Sequence, residues 1–342
     1  MSSGGFIHPD QLWTKTTEEA EGYYQPGKGR TKNGLEFEVR ERTRAEAGGA
    51  STKDRVELVL RPDFSKAPDR SLVVLGGWGE PSAMFAGNFL DILTDKLKRE
   101  GVRNPHIHFL NPGGKGTRDY AERAEASRLG LQASMEDVGH FAEEIHDQLG
   151  GETTILGHSM GYMQSWYLAT ALEKCFGTKQ RARLKQITGL MPATDEPLGT
   201  LRTRFLLAIG NHVPRSVACY FTGDSLRLGL GDYNSIMHGA RTHSDTKNFA
   251  RSSADSAATF LEWVLNLRRA EHHFVGAKPK VVLVGAAREK LLPEKMASNE
   301  ADYLRERGFD CDLKELAWFS HAIPFRMTGN QAIELHRADY LI

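Results

Sequence analysis

The sequence predicts an α/β fold, a mostly parallel sheet with helices on both faces, interrupted by a helical insertion. Three observations carry this. Residues 72–175 alternate short apolar runs with amphipathic stretches in the order strand, helix, strand, helix, strand, helix. The same rhythm returns at Lys280 after a gap. Between them, residues 194–276 are helical in pattern and hold no convincing buried strand. The domain reading is an N-terminal arm over 1–34, an α/β core from 35–193 and 277–342, and a helical cap over 194–276.

Taken in order, the arm is polar and ends in a turn at Asn33-Gly34. Leu35–Arg40 (LEFEVR) and Val56–Leu60 (VELVL) alternate apolar and charged residues, which suits half-exposed antiparallel strands; AEAGGASTKD between them reads as a loop. Leu72–Leu75 is a buried strand that breaks at Gly76-Gly77-Trp78-Gly79. Ser82 opens a helix with Phe85, Phe89, Ile92, Leu93 and Leu97 on one face, closed by Gly101. His106–Leu110 is the next strand, followed by the glycine-rich NPGGKGTRD. Ser134 caps a helix that buries Val138, Phe141, Ala142, Ile145 and Leu149. Strand Thr153–Leu156 runs into Gly157-His158-Ser159-Met160-Gly161, and Tyr162 to Cys175 is helical. Ile187–Met191 and Lys280–Val284 are strands. A helix over Glu294–Arg307, the strand Cys311–Leu316 and a last helix to Ile342 complete the core.

Composition excludes several function classes. The 342 residues are 40% hydrophobic and 26% charged, which is ordinary for a folded globular chain. Lys+Arg and Asp+Glu both number 44, a balance that argues against a general nucleic-acid coat or a polybasic membrane binder. No apolar run of about 18 residues is present to span a membrane. The start lacks the basic region and apolar core of a signal peptide, so a cytoplasmic location is expected. The three cysteines, Cys175, Cys219 and Cys311, form no close pair and no metal-binding spacing. His106 and His108 share a strand face, but no ligand-rich run accompanies them.

The chemistry centres on Ser159. It sits in G-x-S-x-G between a strand and a helix, where small neighbours let backbones pack around a sharp turn. Such a turn lifts the hydroxyl above the sheet at a helix N-terminus, where the dipole favours developing negative charge. With this motif, the Gly76–Gly79 loop and a late histidine in AWFSHAIP, the sequence resembles the α/β-hydrolase fold family over about residues 35–193 and 277–342.

That resemblance implies a serine hydrolase with Ser159 as nucleophile and His321 as general base. It implies an oxyanion hole from the backbone N–H groups of Trp78 and Met160. The family's usual His-Gly-x-Gly has Gly76 in place of the histidine, a change the main-chain donors tolerate. The acid is expected in Gly285–Pro293. The usual position holds Arg288, which cannot orient an imidazole, so neighbouring Glu289 is assigned, with Asp195 as the alternative acid. Without either, the site is a Ser–His dyad.

The implied substrate is a small to medium, partly apolar ester, thioester or lactone, cleaved through an acyl-enzyme with no cofactor or metal. An acyltransferase, a carbon–carbon bond hydrolase or a non-catalytic binding member are the alternatives on the same fold. Epoxide and haloalkane hydrolysis are disfavoured because they use Asp at the elbow. Two further strings are decoys. Gly223-Asp224-Ser225-Leu226 spells another esterase family's signature but lies mid-chain in the insertion. Gly113–Thr117 lacks phosphate-loop spacing.

Overall fold

A computed structural model describes residues 27–30, 36–45, 51–63, 65–77, 88–111, 138–139, 141–180, 184–194, 274, 277–287, 289, 292, 295–317, 319, 333–335 and 337–342. The described strands are β1 (Gly27–Arg30), β2 (Glu36–Ala45), β3 (Ser51–Arg61), β4 (Arg70–Leu75), β5 (Pro105–Asn111), β6 (Glu152–His158), β7 (Leu184–Leu190), β8 (Lys280–Ala286) and β9 (Cys311–Leu316). They form one sheet in the order β1-β2-β3-β5-β4-β6-β7-β8-β9. The pairs β1–β2, β2–β3 and β3–β5 are antiparallel; every pair from β5 to β9 is parallel.

Strand position explains each hydrophobic pattern. Arg70–Leu75 is buried at every residue because β4 lies between β5 and β6 with both faces covered. In Cys311–Leu316 only the two end residues are buried and the four between them are partly or fully exposed, since β9 is last in the order and pairs only with β8 among the described residues.

Two hydrophobic layers sandwich the sheet. On one face, Leu72, Val74, Phe109, Leu156, Leu190, Val282 and Val284 meet helix α1 (Asn88–Arg99) through Ile92, Leu93 and Leu97, together with the C-terminal segment through Leu335, Leu341 and Ile342. On the other face, Val73, Leu75, Ile155, Ile187, Val281 and Leu283 meet the helical residues 141–145, helix α2 (Met160–Gln180) and helix α3 (Met296–Glu306). The apolar stripes expected at Ile92, Leu93, Leu97 and at Val138 to Leu149 are buried.

Several boundaries differ from the sequence reading. Residues 27–30, within the polar arm, pair with β2. Strands β2 and β3 extend into the segment read as a loop, with Ala45 opposite Ser51. Helix α2 starts at Met160 and continues to Gln180. The last helix does not reach Ile342: residues 333–335 and 337 are helical, and a turn follows at 339–340. Buried polar side chains hold that segment instead. Lys96 Nζ donates to the Ala338 carbonyl. Gln186 Nε2 donates to the Tyr340 carbonyl at 2.9 Å, and Thr188 Oγ1 to the Leu341 carbonyl at 2.9 Å.

The strand order places a site. The chain steps from β4 to β5 on one side, then to β6 on the other side of β4. Helices accordingly lie on opposite faces, which makes the carboxyl ends of β4 and β6 a topological switch point, the place where open α/β sheets bind ligands. The expected cap, 194–276, lies outside the described residues except Thr194 and Phe274. Phe274 stacks edge-to-face on Trp166 of α2, with ring centroids 6.2 Å apart.

Candidate active site

Ser159 stands at that switch point, between the end of β6 and the start of α2, and is buried. Its φ is +52°, in the left-handed region that a side chain with Cβ occupies only under local constraint. The constraint is a set of main-chain bonds. Ser159 N–H donates to the Leu190 carbonyl at 2.9 Å, and its own carbonyl accepts from Tyr162 N–H and Ala193 N–H, both at 3.1 Å. One end of the turn is thus fixed to β7 and the other to the first turn of α2.

The flanking glycines are required by contact. A Cβ on Gly157 would lie 2.4 Å from the Gly161 carbonyl oxygen and 2.4 Å from Ser165 Oγ. A Cβ on Gly161 would lie 2.3 Å from the Leu75 carbonyl oxygen and 2.5 Å from that of Gly76. The second glycine therefore lets α2 press on the end of β4, where the glycine-rich loop begins. Ser165 Oγ donates to the Gly161 carbonyl at 2.8 Å, one helical turn back.

Met160 follows directly as the first residue of α2 and is buried. Its N–H belongs to the first turn, whose amides have no acceptor within the helix. With the positive end of the α2 dipole, this makes the space around Ser159 receptive to an oxyanion. Gly76 and Gly77 are buried beside it at the end of β4, whose Leu75 is in register with Gly157. Trp78, the other expected donor, lies outside the described residues.

Glu289 lies just beyond the carboxyl end of β8, two strands from the elbow strand β6. Its N–H donates to the Ala286 carbonyl at 2.9 Å, closing a turn, and its Oε1 accepts from Leu292 N–H at 3.1 Å. It is half-buried and lines a cavity of about 190 Å³ with Met191, Pro192, Leu292 and Met296. Met191 takes φ +43° and donates its N–H to the Val284 carbonyl at 2.8 Å. A continuous main-chain ladder, Ser159 to Leu190 and Met191 to Val284, thus joins the elbow to the strand that carries Glu289.

The structure brings Ser159, Met160, Gly76 and Gly77 together and sets Glu289 at the same end of the sheet. Asp195 and His321 lie outside the described residues, as do Ser225 with its GDSL string and the Gly113–Thr117 loop. His106 and His108 are buried at the side of the sheet shared with Arg61 and Asn104, and Asn104 Nδ2 faces His106 Nε2 at 3.3 Å. Burial first, then the Arg61 cation, lower the His106 pKa to about 3. Among the described residues no cluster of His, Cys, Asp or Glu suits a metal ion, and no helix is long and apolar enough to cross a membrane.

Sequence reasoning missed Ala193 and Leu190, whose main-chain groups fix the elbow and carry no side-chain signature. Ser165 was legible in principle, because it lies four residues after Gly161 on the same helix face.

Neither a family model nor a curated protein sequence matches the chain. Its three-dimensional likeness is to solved α/β-hydrolases. A peroxisomal alpha-beta-hydrolase from Saccharomyces cerevisiae aligns with TM-score 0.52 and 14% identity, covering 89% of this chain and 87% of that one. An esterase from Rhizomucor miehei aligns at 0.49 and 12% identity over 89% and 81% of the two chains. An esterase from Pyrobaculum calidifontis aligns at 0.48 and 12% over 88% and 83%. At such identity the yeast likeness is one of architecture, and it agrees with the sheet order and the elbow: the chain has the α/β-hydrolase fold.

Proposed function

We propose that this α/β-hydrolase fold carries a serine hydrolase acting on small to medium, partly apolar carboxylic esters, thioesters or lactones. The observation that carries the reading is the left-handed backbone of Ser159, held between two glycines whose Cβ positions neighbouring backbone would fill. A strained serine at a strand–helix turn is costly, by about 1–3 kcal/mol, and gains a rationale when its hydroxyl must stand clear of the sheet.

In this reading Ser159 Oγ attacks the carbonyl carbon while His321 takes its proton. The oxyanion accepts hydrogen bonds from the N–H groups of Trp78 and Met160. Collapse expels the alcohol or thiol, protonated by His321, and leaves an acyl-Ser159 ester. Water, deprotonated by His321, attacks that ester and releases the acid and the free serine. Glu289, or Asp195 in its place, accepts the other imidazole N–H and stabilises the imidazolium. The main-chain ladder from the elbow to β8 supports Glu289, since it fixes the two strand ends relative to one another.

The test is hydrolysis of p-nitrophenyl esters of increasing acyl length by the purified chain, with Ser159→Ala and His321→Ala alongside. Wild-type turnover that falls by roughly 10⁶ in the serine variant is expected. Turnover that persists in Ser159→Ala defeats the assignment. Comparison of Glu289→Ala with Asp195→Ala identifies the acid.

A further inference from the structure

The elbow has a second support, built from side chains on the far side of the turn. Tyr162 is three residues beyond Ser159, and its N–H donates to the Ser159 carbonyl at 3.1 Å. Its side chain is buried and passes under β7, where Gly189 makes room for it: a Cβ there would lie 2.6 Å from Tyr162 Cδ2. Gly189 precedes Leu190, whose carbonyl holds Ser159 N–H. Beyond the ring, Tyr162 Oη donates to Glu300 Oε1 on α3 at 3.0 Å. Glu300 is only 3% exposed, in the layer that also holds Trp166, Leu283 and Leu304.

A carboxylate so deep in an apolar layer is expensive without hydrogen-bond partners. An apolar residue of the same size would fill the space more cheaply, so packing alone does not account for a glutamate there. Burial first, then the Glu300 charge, hold the Tyr162 phenol well above its ordinary pKa, which keeps it a donor. Helix α3 follows the loop that carries Glu289. The pair therefore links the helix that follows the proposed nucleophile to the helix that follows the proposed acid.

We propose that Tyr162 and Glu300 are positioning residues: their buried hydrogen bond fixes the first turn of α2, and with it Ser159 and the Met160 amide, relative to the acid-bearing side of the sheet. The inference rests on the serine-hydrolase reading for its catalytic consequence, though not for the structural coupling itself. Displacing a reacting group by about 1 Å costs up to about 100-fold in rate, so loss of the bond is expected to slow reaction at Ser159 by about 10- to 100-fold.

The experiment compares wild type with Tyr162→Phe, Glu300→Gln and the double variant Tyr162→Phe/Glu300→Met. Three quantities are read: the second-order rate of Ser159 labelling by a fluorophosphonate, the Tm, and amide exchange of the segment 157–166. Tyr162→Phe is expected to label 10- to 100-fold more slowly and to exchange faster over 157–166. Glu300→Gln keeps an acceptor for the phenol and is expected to label within about threefold of wild type. The double variant removes both polar groups, so its Tm recovers towards wild type while its labelling stays slow.

Labelling that recovers together with Tm would reduce the pair to a stability role and overturn the proposal. Should Tyr162→Phe fail to fold, a folded double variant that labels at the wild-type rate overturns it equally. Wild type that takes no label refutes the nucleophile assignment instead. Amide exchange then decides the coupling, and unchanged protection over 157–166 in the folded variants overturns it.

Discussion

Adding one methyl group at Gly161 would disturb both halves of the proposed site at once. The new Cβ would lie 2.3 Å from the Leu75 carbonyl oxygen, about 1 Å short of ordinary contact, and 2.5 Å from the Gly76 carbonyl oxygen. Both obstacles are main chain, so neither moves away by changing rotamer. Either α2 slides away from β4, carrying Ser159 and Met160, or the start of the Gly76–Gly79 loop moves, carrying Trp78. Overpacking of this kind costs about 1–3 kcal/mol. For 342 residues, at about 2.1 cal/mol/K per residue, Tm falls by about 1–4 °C. The cost in activity is larger, because a shift near 1 Å between nucleophile and oxyanion donors lowers kcat/KM by about 100-fold. Gly139→Ala is the control: its Cβ would meet only Ala171 Cβ, at 3.7 Å, and a helical Gly-to-Ala change is neutral to stabilising by up to about 1 kcal/mol. Ester turnover and thermal melts on the two variants decide the matter. A Gly161→Ala protein with wild-type kcat/KM would refute the reasoning that elbow and loop are pressed together.

Other outcomes follow from the same geometry. Ser159→Gly releases the left-handed strain and should raise stability by about 1 kcal/mol in denaturant melts while abolishing turnover; a loss of stability would show that φ +52° is not strained. Gly189→Ala drives a methyl into the Tyr162 ring and should slow turnover with KM little changed, checked by steady-state kinetics. His106 stays neutral in the folded chain down to about pH 3, whereas the unfolded chain protonates it near 6.5. Its contribution is therefore full above pH 6.5 and falls by about 1.4 kcal/mol per unit below it, about 2 kcal/mol by pH 5. His106→Gln should flatten stability against pH over that window in urea titrations. Cys311 is buried with its thiol pushed up to about 11, so it should react with a thiol reagent at pH 8 only at the rate of unfolding.

The parallel core was readable because its strands carry apolar runs that no solvated segment would carry. Leu72–Leu75, Thr153–Leu156 and Lys280–Val284 declare themselves by composition, and the intervening stripes at Ile92–Leu97 and Val138–Leu149 by spacing. The antiparallel edge was less legible. Gly27–Arg30 has no apolar residue, and the outer ends of β2 and β3 are charged, so their pairing is a main-chain property. The sequence of the C-terminal segment reads as helix to Ile342, whereas the helical residues end at 337 and a turn follows at 339–340. Its course is set instead by Lys96, Gln186 and Thr188, which are 242, 154 and 153 residues away from their carbonyl partners in sequence. The elbow was legible as a string, and so was the need for small neighbours; which backbones press on them, the Leu75 and Gly76 carbonyls on Gly161, shows only in the fold. Tyr162 and Glu300, 138 residues apart, leave no mark in local sequence.

The proposed chemistry needs an activated hydroxyl at one position. The most direct measurement is intact-mass and peptide mapping of the folded chain after exposure to a fluorophosphonate. The prediction is a single phosphonyl adduct on the peptide containing Ser159, absent in Ser159→Ala and strongly reduced in His321→Ala. A folded wild type that takes no adduct, or takes it elsewhere, for instance at Ser225, would contradict the claim that the turn after β6 holds the nucleophile.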